Sequence, residues 1–214
     1  MRRSLSAEIL DDRGVPDHVL EAAHKDLTRT HRWLGNTAAL VRALSIPGPP
    51  VRRVLDVGCG HGGVLADIRD ALGIEPVGVD LRPPPAATAP FVIVEADAVH
   101  DPLPGADVAI SVAMAHHLDE HDLAALIRNV ARSCPRLILL DLVRHPLPLW
   151  LFRLFVAPAL PAVNAADGCQ SVRRAYTPDE LRRIVEHALK GAAGTFRHTV
   201  APFYTRQIVD ICFA

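Results

Sequence analysis

The chain has little sulfur and few aromatic rings. Its four cysteines, Cys59, Cys134, Cys169 and Cys212, lie far apart and form no C-x-x-C pair. Neither a zinc ribbon nor a disulfide framework is therefore expected, and free thiols in a reducing cytoplasm are the plain reading. An excess of one charge is also missing: 23 Lys+Arg stand against 24 Asp+Glu. The arginines are interspersed with acids, so there is no basic stripe of the kind that marks a nucleic-acid binder. The most apolar stretch, Leu147 to Val163, is broken by Pro148, Arg153, Pro158 and Pro161. It falls short of the roughly 20 residues a bilayer span needs, so no stable membrane insertion is expected. No apolar h-region follows Met1-Arg-Arg-Ser4, which argues against a signal peptide and for a cytoplasmic protein. Internal repeats and low-complexity tracts are absent.

Half of the 214 residues are hydrophobic, enough for one domain with a full core. The informative stretch is Val51 to Gly63. Val54, Leu55 and Val57 form a strand-like apolar run that stops at glycine. Val64, Leu65, Ile68 and Leu72 then recur at helical spacing. Strand, glycine turn and helix in that order present main-chain N–H groups and a partial positive charge to a ligand. Glycine serves there because the turn needs positive φ and because a Cβ would hold the ligand away. Asp56 precedes the turn. Asp80 closes the next apolar run about 20 residues later, where a carboxylate can accept hydrogen bonds from both hydroxyls of a ribose. Gly58, Gly60 and Gly63 also satisfy G-x-G-x-x-G, which keeps a dinucleotide and a nicotinamide oxidoreductase open. Asp56 argues against them, since a carboxylate in the turn repels a pyrophosphate but attracts an ammonium group.

The first 16 residues are polar, carry Gly14 and Pro16, and read as a loose arm. Asp17 to Ser45 reads as two helices broken at Gly35-Asn36, with Asp17 as N-cap; Pro47 to Pro50 ends this region. Arg82-Pro-Pro-Pro85 excludes a regular helix after Asp80. Phe91 to Glu95, Val108 to Val112 and Leu137 to Leu142 read as strands three to five, with a helix over Asp119 to Arg132 between the last two. Residues 147–176 are the least regular, an aromatic, proline-broken piece leading into a small polar run, Asn164 to Ser171. Thr177-Pro-Asp-Glu180 is a capping box with proline at the first helical position, and the helix it starts runs to about Lys190. Thr195 to Val200 and Arg206 to Phe213 read as a closing antiparallel pair. The whole predicts an α/β fold: a doubly wound, Rossmann-like sheet of about seven strands with an antiparallel C-terminal strand, plus N-terminal helices. Residues 1–50 would form a helical arm or cap, and 51–214 the ligand-binding domain with a lid-like insertion at 147–176. Asp56, Asp80, Asp97, Ser111 and Asp141 all fall at predicted strand ends, where such sheets bind ligands.

Asp56-Val-Gly-Cys-Gly-His-Gly62 resembles the first motif of class I S-adenosylmethionine (SAM) methyltransferases, and the similarity extends from Arg52 to Arg144. The resemblance implies SAM as cofactor. It places Asp56, Gly58, Cys59 and Gly60 along the methionine part, Asp80 on the ribose and Leu81 against adenine. Asp97 and Ala98 would meet the adenine edge, with Ser111 and Val112 at the end of strand four. The triple proline departs from the family pattern, which has a helix there. Thr30 to Asn36, His116-His117-Leu118 and Ser171 to Pro178 look like a subgroup of small bacterial enzymes that modify polyketide, phenolic or quinone-like metabolites. That narrower likeness suggests that His31, Trp33 and Asn36 help close the site over SAM, with a plain core anchor as the alternative for Trp33.

Methyl transfer requires the acceptor in line with the sulfonium, and a hydroxyl acceptor gains from a base of near-neutral pKa. His116 and His117 follow strand four, and Asp141 ends strand five beside them. These three are the expected catalytic residues, against a reading in which the pair merely packs or caps the next helix; His145 is a further candidate. Trp150, Phe152, Phe155 and the prolines suggest an apolar wall and hence a small apolar or aromatic substrate, with Arg173, Arg174 and Tyr176 as possible contacts to an acidic or phenolic group. No Pro-Pro-Tyr/Phe motif for amino acceptors follows strand four, which favours O-methylation. No metal cluster is evident, so no metal is expected. A monomer or homodimer is expected, and a non-catalytic SAM-binding protein remains the second alternative.

Overall fold

A computed structural model describes residues 1–46 and 48–214. Pro47, expected to help end the N-terminal helical region, lies outside the described residues. The described residues form one mixed sheet. Its strands are β1 (Arg53–Val57), β2 (Glu75–Asp80), β3 (Ile93–Glu95), β4 (Val108–Val112), β5 (Arg136–Asp141), β6 (Gly194–Val200) and β7 (Gln207–Phe213). Their spatial order is β3-β2-β1-β4-β5-β7-β6. The first five run parallel, while β7 pairs antiparallel with both β5 and β6. Strand order reverses between β1 and β4, and that switch point is where an open α/β sheet leaves a crevice beyond its carboxyl edge.

Helices cover both faces. On one side α1 (Asp17–Trp33), α2 (Asn36–Leu44) and α3 (Gly63–Leu72) pack, and Leu40, Leu65 and Ile68 close over Val54, Ile110 and Ile138. On the other, α4 (Glu120–Val130) and α7 (Pro178–Ala188) bury Leu123, Ile127, Leu181 and Val185 against Leu55, Val57, Leu137 and Val209. The central strands are buried on both faces, which is why they read as continuous apolar runs instead of alternating ones. The capping box forms as expected: Thr177 Oγ1 accepts from Glu180 N–H, and Glu180 Oε2 accepts from Thr177 N–H at 2.9 Å. Gly62 and Gly73, both with φ near +70°, start and stop α3.

Several expectations change. Asp17 is the first residue of α1, not its cap; Pro16 holds the extended cap position, because its fixed φ suits that geometry and leaves no N–H to satisfy. Strand three shrinks to Ile93–Glu95, since Phe91 turns inward to pack on Gly62 and Gly78.

The segment expected to be least regular is mostly helical: α5 (Pro146–Leu151), a π-helical turn over Phe152–Val156, a short 3-10 turn, and α6 (Ala162–Arg174). Pro146 and Pro158 sit in first turns and Pro161 directly before α6, where a missing N–H costs nothing. The small polar run 164–171 is part of α6. Its polar side chains are buried and bonded: Asn164 Nδ2 donates to Ala23 O at 3.0 Å, and the Asp167 carboxylate accepts from Ile9 and Leu10 N–H at 2.7 and 2.9 Å.

Residues 1–16 are not a loose arm but a docked strap. Arg3 donates to the carbonyls of Arg174 at 2.7 Å and Leu118 at 2.8 Å, and its guanidinium lies over the Tyr176 ring. Ser4 N–H donates to Arg173 O, and Arg144 Nε reaches Met1 O. Polar sequence predicts exposure only when the polar groups have no partners in the fold, and these have them.

Candidate active site

The carboxyl ends of β1, β2, β4 and β5 gather Asp56, the Gly58–Gly60 turn, Asp80, Ser111 and Asp141 into one region. Gly58 and Gly60 have φ of +73° and +54°. Gly58 and Cys59 both donate N–H to Val79 O, at 2.8 and 3.2 Å, which ties the turn to β2. The Asp80 carboxylate is held at the strand tip: Oδ2 accepts Gly60 N–H at 2.7 Å and Oδ1 accepts Arg82 N–H at 2.8 Å. Each oxygen keeps a further lone pair for a ligand hydroxyl.

Two buried polar atoms here have no partner, Asp56 Oδ1 and Ser111 Oγ. Such orphans in a well-packed core mark a place where something else bonds. Burial, reinforced by the nearby Asp80 charge, pushes the Asp56 carboxyl up to about 8. Burial also pushes the Cys59 thiol up, with Asp56 and Asp80 adding to it. That thiol is an unreactive packing group against Gly78.

The bare main chain of the glycine turn is covered by the protein's own side chains. A Cβ on Gly58 would lie 2.5 Å from Met114 Cγ, and one on Gly60 2.5 Å from His24 Cε1. Met114 comes from the turn after β4, where Ala113 adopts a left-handed φ of +52°; strain of this kind costs about 1–3 kcal/mol and is characteristic of functional sites. His24 comes from α1 and stacks on His61 with ring centroids 4.4 Å apart. A shallow cleft of about 200 Å³ opens beside it, lined in part by His24, His61, Gly63 and Thr28. His24 and Met114 thus occupy the space next to the turn that a side chain there would fill.

Burial, with a contribution from His61, lowers His24 to about 4; Asp80 opposes this only weakly. Its folded value lies below the unfolded one, so the unfolded chain takes up a proton first as pH falls. The stability contributed by neutral His24 is complete above pH 6.5 and is lost as pH drops towards 4. Thermal melts between pH 7.5 and 4.5 should fall more steeply for the wild type than for His24→Phe, which keeps the packing without the titration.

The sequence-predicted residues divide as follows. His116 and Asp141 are brought together: His116 Nδ1 lies 2.8 Å from Asp141 Oδ1, and His116 main-chain N–H donates to Asp141 Oδ2 at 2.8 Å. His117 is half-buried, and its ring tilts over that of His116 at 4.3 Å. Leu81 is exposed at the tip of β2. Asp97 caps the turn after β3, accepting from Val99 N–H and pairing with His100, while the carbonyl of buried Ala98 accepts from Asn129 Nδ2. Val112 packs at the rim of the α2–α3 core. His31 Nδ1 lies 3.0 Å from Asn36 Nδ2, and Asn36 Oδ1 accepts from Arg206. Trp33 is 63% exposed, so it is not a core anchor; α1 ends with its ring turned to the surface. Trp150 and Phe155 are exposed in edge-to-face contact at 6.5 Å, whereas Phe152 packs on Gly168.

Three residues were not legible as site residues. Glu8, His24 and Met114 reach the region from the arm, α1 and the β4 turn, and no short spacing links them to the glycine motif. Glu8 is buried, with Oε1 3.5 Å from His116 Nε2.

The architecture defines a doubly wound, Rossmann-like protein with carboxylates gathered at its strand ends. The methyltransferase-domain profile matches residues 28–188, and the chain belongs to that family. No curated protein matches it in sequence. Among solved structures it resembles human N-acetylserotonin methyltransferase in complex with SAM, at 18% identity and TM-score 0.64, covering 91% of this chain and 55% of that one. It also resembles the plantazolicin methyltransferase BamL in complex with a triazolic desmethylPZN analog and SAH, at 14% identity and TM-score 0.69, covering 92% and 90%. A third is the mitomycin 7-O-methyltransferase MmcR, at 21% identity and TM-score 0.61, covering 91% and 58%. This chain thus spans little more than half the length of two of the three. Among the described residues, no helix is long and apolar enough to cross a membrane.

Proposed function

We propose that the chain is a SAM-dependent methyltransferase acting on a small aromatic acceptor of the phenolic or polyketide type, with oxygen as the favoured acceptor atom. The observation that carries this reading is the pairing of Asp80, fixed at the tip of β2 against Gly60 N–H, with the orphaned carboxyl of Asp56 beneath the same turn. Asp80 suits a ribose diol, and Asp56 suits an ammonium group, which would also draw it into its charged form. Leu81, exposed at the same strand tip, offers an apolar face to adenine; Asp97 and Ala98 lie one strand further out for its edge. Asn36 and Trp33 would form the rim on the α1–α2 side.

The sulfonium supplies an electrophilic methyl group, so the chain itself must position the acceptor and exclude water. The insertion 147–176 supplies the apolar wall through Trp150, Leu154 and Phe155, together with Phe203 and Tyr204 of the β6–β7 hairpin. Both hairpin residues hold left-handed φ, at 59° and 57°. His116, His117 and Asp141 form the proton-handling edge. Burial opposes charging His116, but Asp141 and Glu8 outweigh it and raise it to about 9; His117, the more exposed of the pair, is the one we assign to an acceptor hydroxyl. The likeness to an N-acetylserotonin methyltransferase and a mitomycin 7-O-methyltransferase supports this class of acceptor.

Calorimetric titration of S-adenosylhomocysteine against NADH tests the cofactor, and transfer of labelled methyl to a panel of phenols tests the reaction. His117→Ala is expected to slow transfer about 100-fold at unchanged cofactor affinity, the usual size of a general-base contribution. His24→Ala removes a ring that must leave Gly60 before binding, so it is expected to tighten S-adenosylhomocysteine binding about 3- to 10-fold. A wild-type chain that binds NADH and ignores S-adenosylhomocysteine overturns the proposal.

A further inference from the structure

Glu8, His116 and His117 converge with their ligand atoms within 4.8 Å of one another. Glu8 Oε1 lies 3.5 Å from His116 Nε2, and Glu8 Oε2 lies 3.9 Å from His117 Nε2. The first of these contacts is long for a hydrogen bond. Both of its atoms are buried and without a partner, and the His116 side chain is only 2% exposed. Two orphaned polar atoms facing each other in a dry interior call for a third group between them.

Their spacing matches a metal. A zinc ion sits about 2.0–2.1 Å from nitrogen and oxygen ligands, which places two tetrahedral ligands about 3.4 Å apart. The far side of each imidazole is anchored as a metal-bound histidine requires. His116 Nδ1 pairs with Asp141 Oδ1 at 2.8 Å, and His117 Nδ1 with Asp11 Oδ1 at 3.1 Å. A carboxylate on Nδ1 fixes the tautomer that leaves Nε2 free to coordinate, and it raises the basicity of that nitrogen. Charge fits as well. Glu8, Asp11 and Asp141 bring three negative charges, and Arg174, 4.0 Å from Glu8 and 2.7 Å from Asp11, brings one positive charge. Arg3, whose Nη2 donates to His116 O at 3.2 Å, brings a second positive charge, so with neutral imidazoles the cluster is left one charge negative.

We propose that Glu8, His116 and His117 bind one divalent transition-metal ion, zinc or a similar borderline cation, with Asp141 and Asp11 as positioning residues. Two nitrogens and one carboxylate leave a fourth position open, the arrangement of a site that admits water or a substrate oxygen and not of a closed structural site. The ion also adds one more tie between the docked strap and the β4 and β5 strand ends. This inference goes beyond the methyltransferase reading and does not rest on it, because metal content is measured without cofactor or acceptor; the base role given to His117 belongs to the metal-free chain, since its Nε2 cannot both ligate the ion and accept a proton.

The full-length chain is stripped with a chelator and titrated with zinc sulfate by calorimetry. One equivalent per chain is expected, with a matching rise in melting temperature. Glu8→Gln and His116→Ala should each weaken binding at least 10-fold. Asp141→Asn should weaken it about 10- to 100-fold without removing a ligand, the size expected of an outer-shell partner. The second His–carboxylate group of the described residues, Asp119, His121 and Asp122, is solvent-exposed, and His121→Ala should change nothing. Should Glu8→Gln or His116→Ala fail to fold, nitrogen-15 spectra of the wild-type imidazoles decide: zinc should shift Nε2 of two of the eleven histidines. No stoichiometric zinc, or zinc that stays with the His116 and Glu8 variants and leaves with His121→Ala, overturns the proposal.

Discussion

Asp80→Ala is expected to weaken S-adenosylhomocysteine binding by at least about 100-fold while the chain remains folded. A carboxylate that accepts from two hydroxyls contributes about 1.5–3 kcal/mol for each charge-assisted hydrogen bond, so losing both passes the roughly 2.7 kcal/mol that corresponds to 100-fold. The fold tolerates the change for a specific reason. Asp80 is partly exposed at the strand tip, and its internal bonds go only to Gly60 and Arg82 N–H. Both residues are only partly buried, so leaving their amides without the carboxylate costs about 1–2 kcal/mol. Isothermal titration beside a thermal melt separates the two effects. Affinity within twofold of the wild type would remove Asp80 from the cofactor site, and with it the main support for the functional reading.

Asp56→Asn is expected to move stability and affinity in opposite directions. The folded carboxyl is raised to about 8 by burial and by Asp80, so at neutral pH the fold retains a proton that the unfolded chain releases. Stability from this group is complete below about pH 3.8, the unfolded value, and is lost as pH rises through 8. Asparagine is neutral throughout and escapes that loss. The variant should therefore melt higher than the wild type at pH 7 to 8, with the gap closing towards pH 4. A tenfold difference in proton affinity between the folded and unfolded chain corresponds to about 1.4 kcal/mol, and each kcal/mol moves the midpoint of a chain this size by about 2–4 °C. Binding of S-adenosylhomocysteine should weaken about 10- to 100-fold, because asparagine offers no charge to the ammonium group. A variant that melts lower at pH 8 would show that Asp56 is already charged and compensated in the fold.

The two variants also test different parts of the same turn. Asp80 acts from the tip of β2 and Asp56 from beneath β1, and both are in place although His24 and Met114 cover the glycines between them. On the proposed function, this cover has to move aside before the cofactor binds. Its components are a helix side chain and a methionine, which can swing away without breaking the sheet. Methionine suits that task because its thioether chain is flexible and unbranched.

Sequence alone determined the order of the strands, the helices outside 146–174, the glycine turn after β1, the capping box of α7 and the antiparallel closing pair. All of these rest on interactions within a few residues or on a repeating apolar pattern, so each leaves its mark on a short stretch. Tertiary structure alone decided that the polar first sixteen residues dock, that the prolines of 146–161 begin helical turns instead of breaking them, and that His24 lies over Gly60. It also brought Glu8 from the far end of the chain to His116 and His117. Those outcomes depend on buried partners supplied by distant segments, such as Asp167 for the Ile9 and Leu10 amides. A local pattern carries no record of which polar groups will find each other once the core has closed.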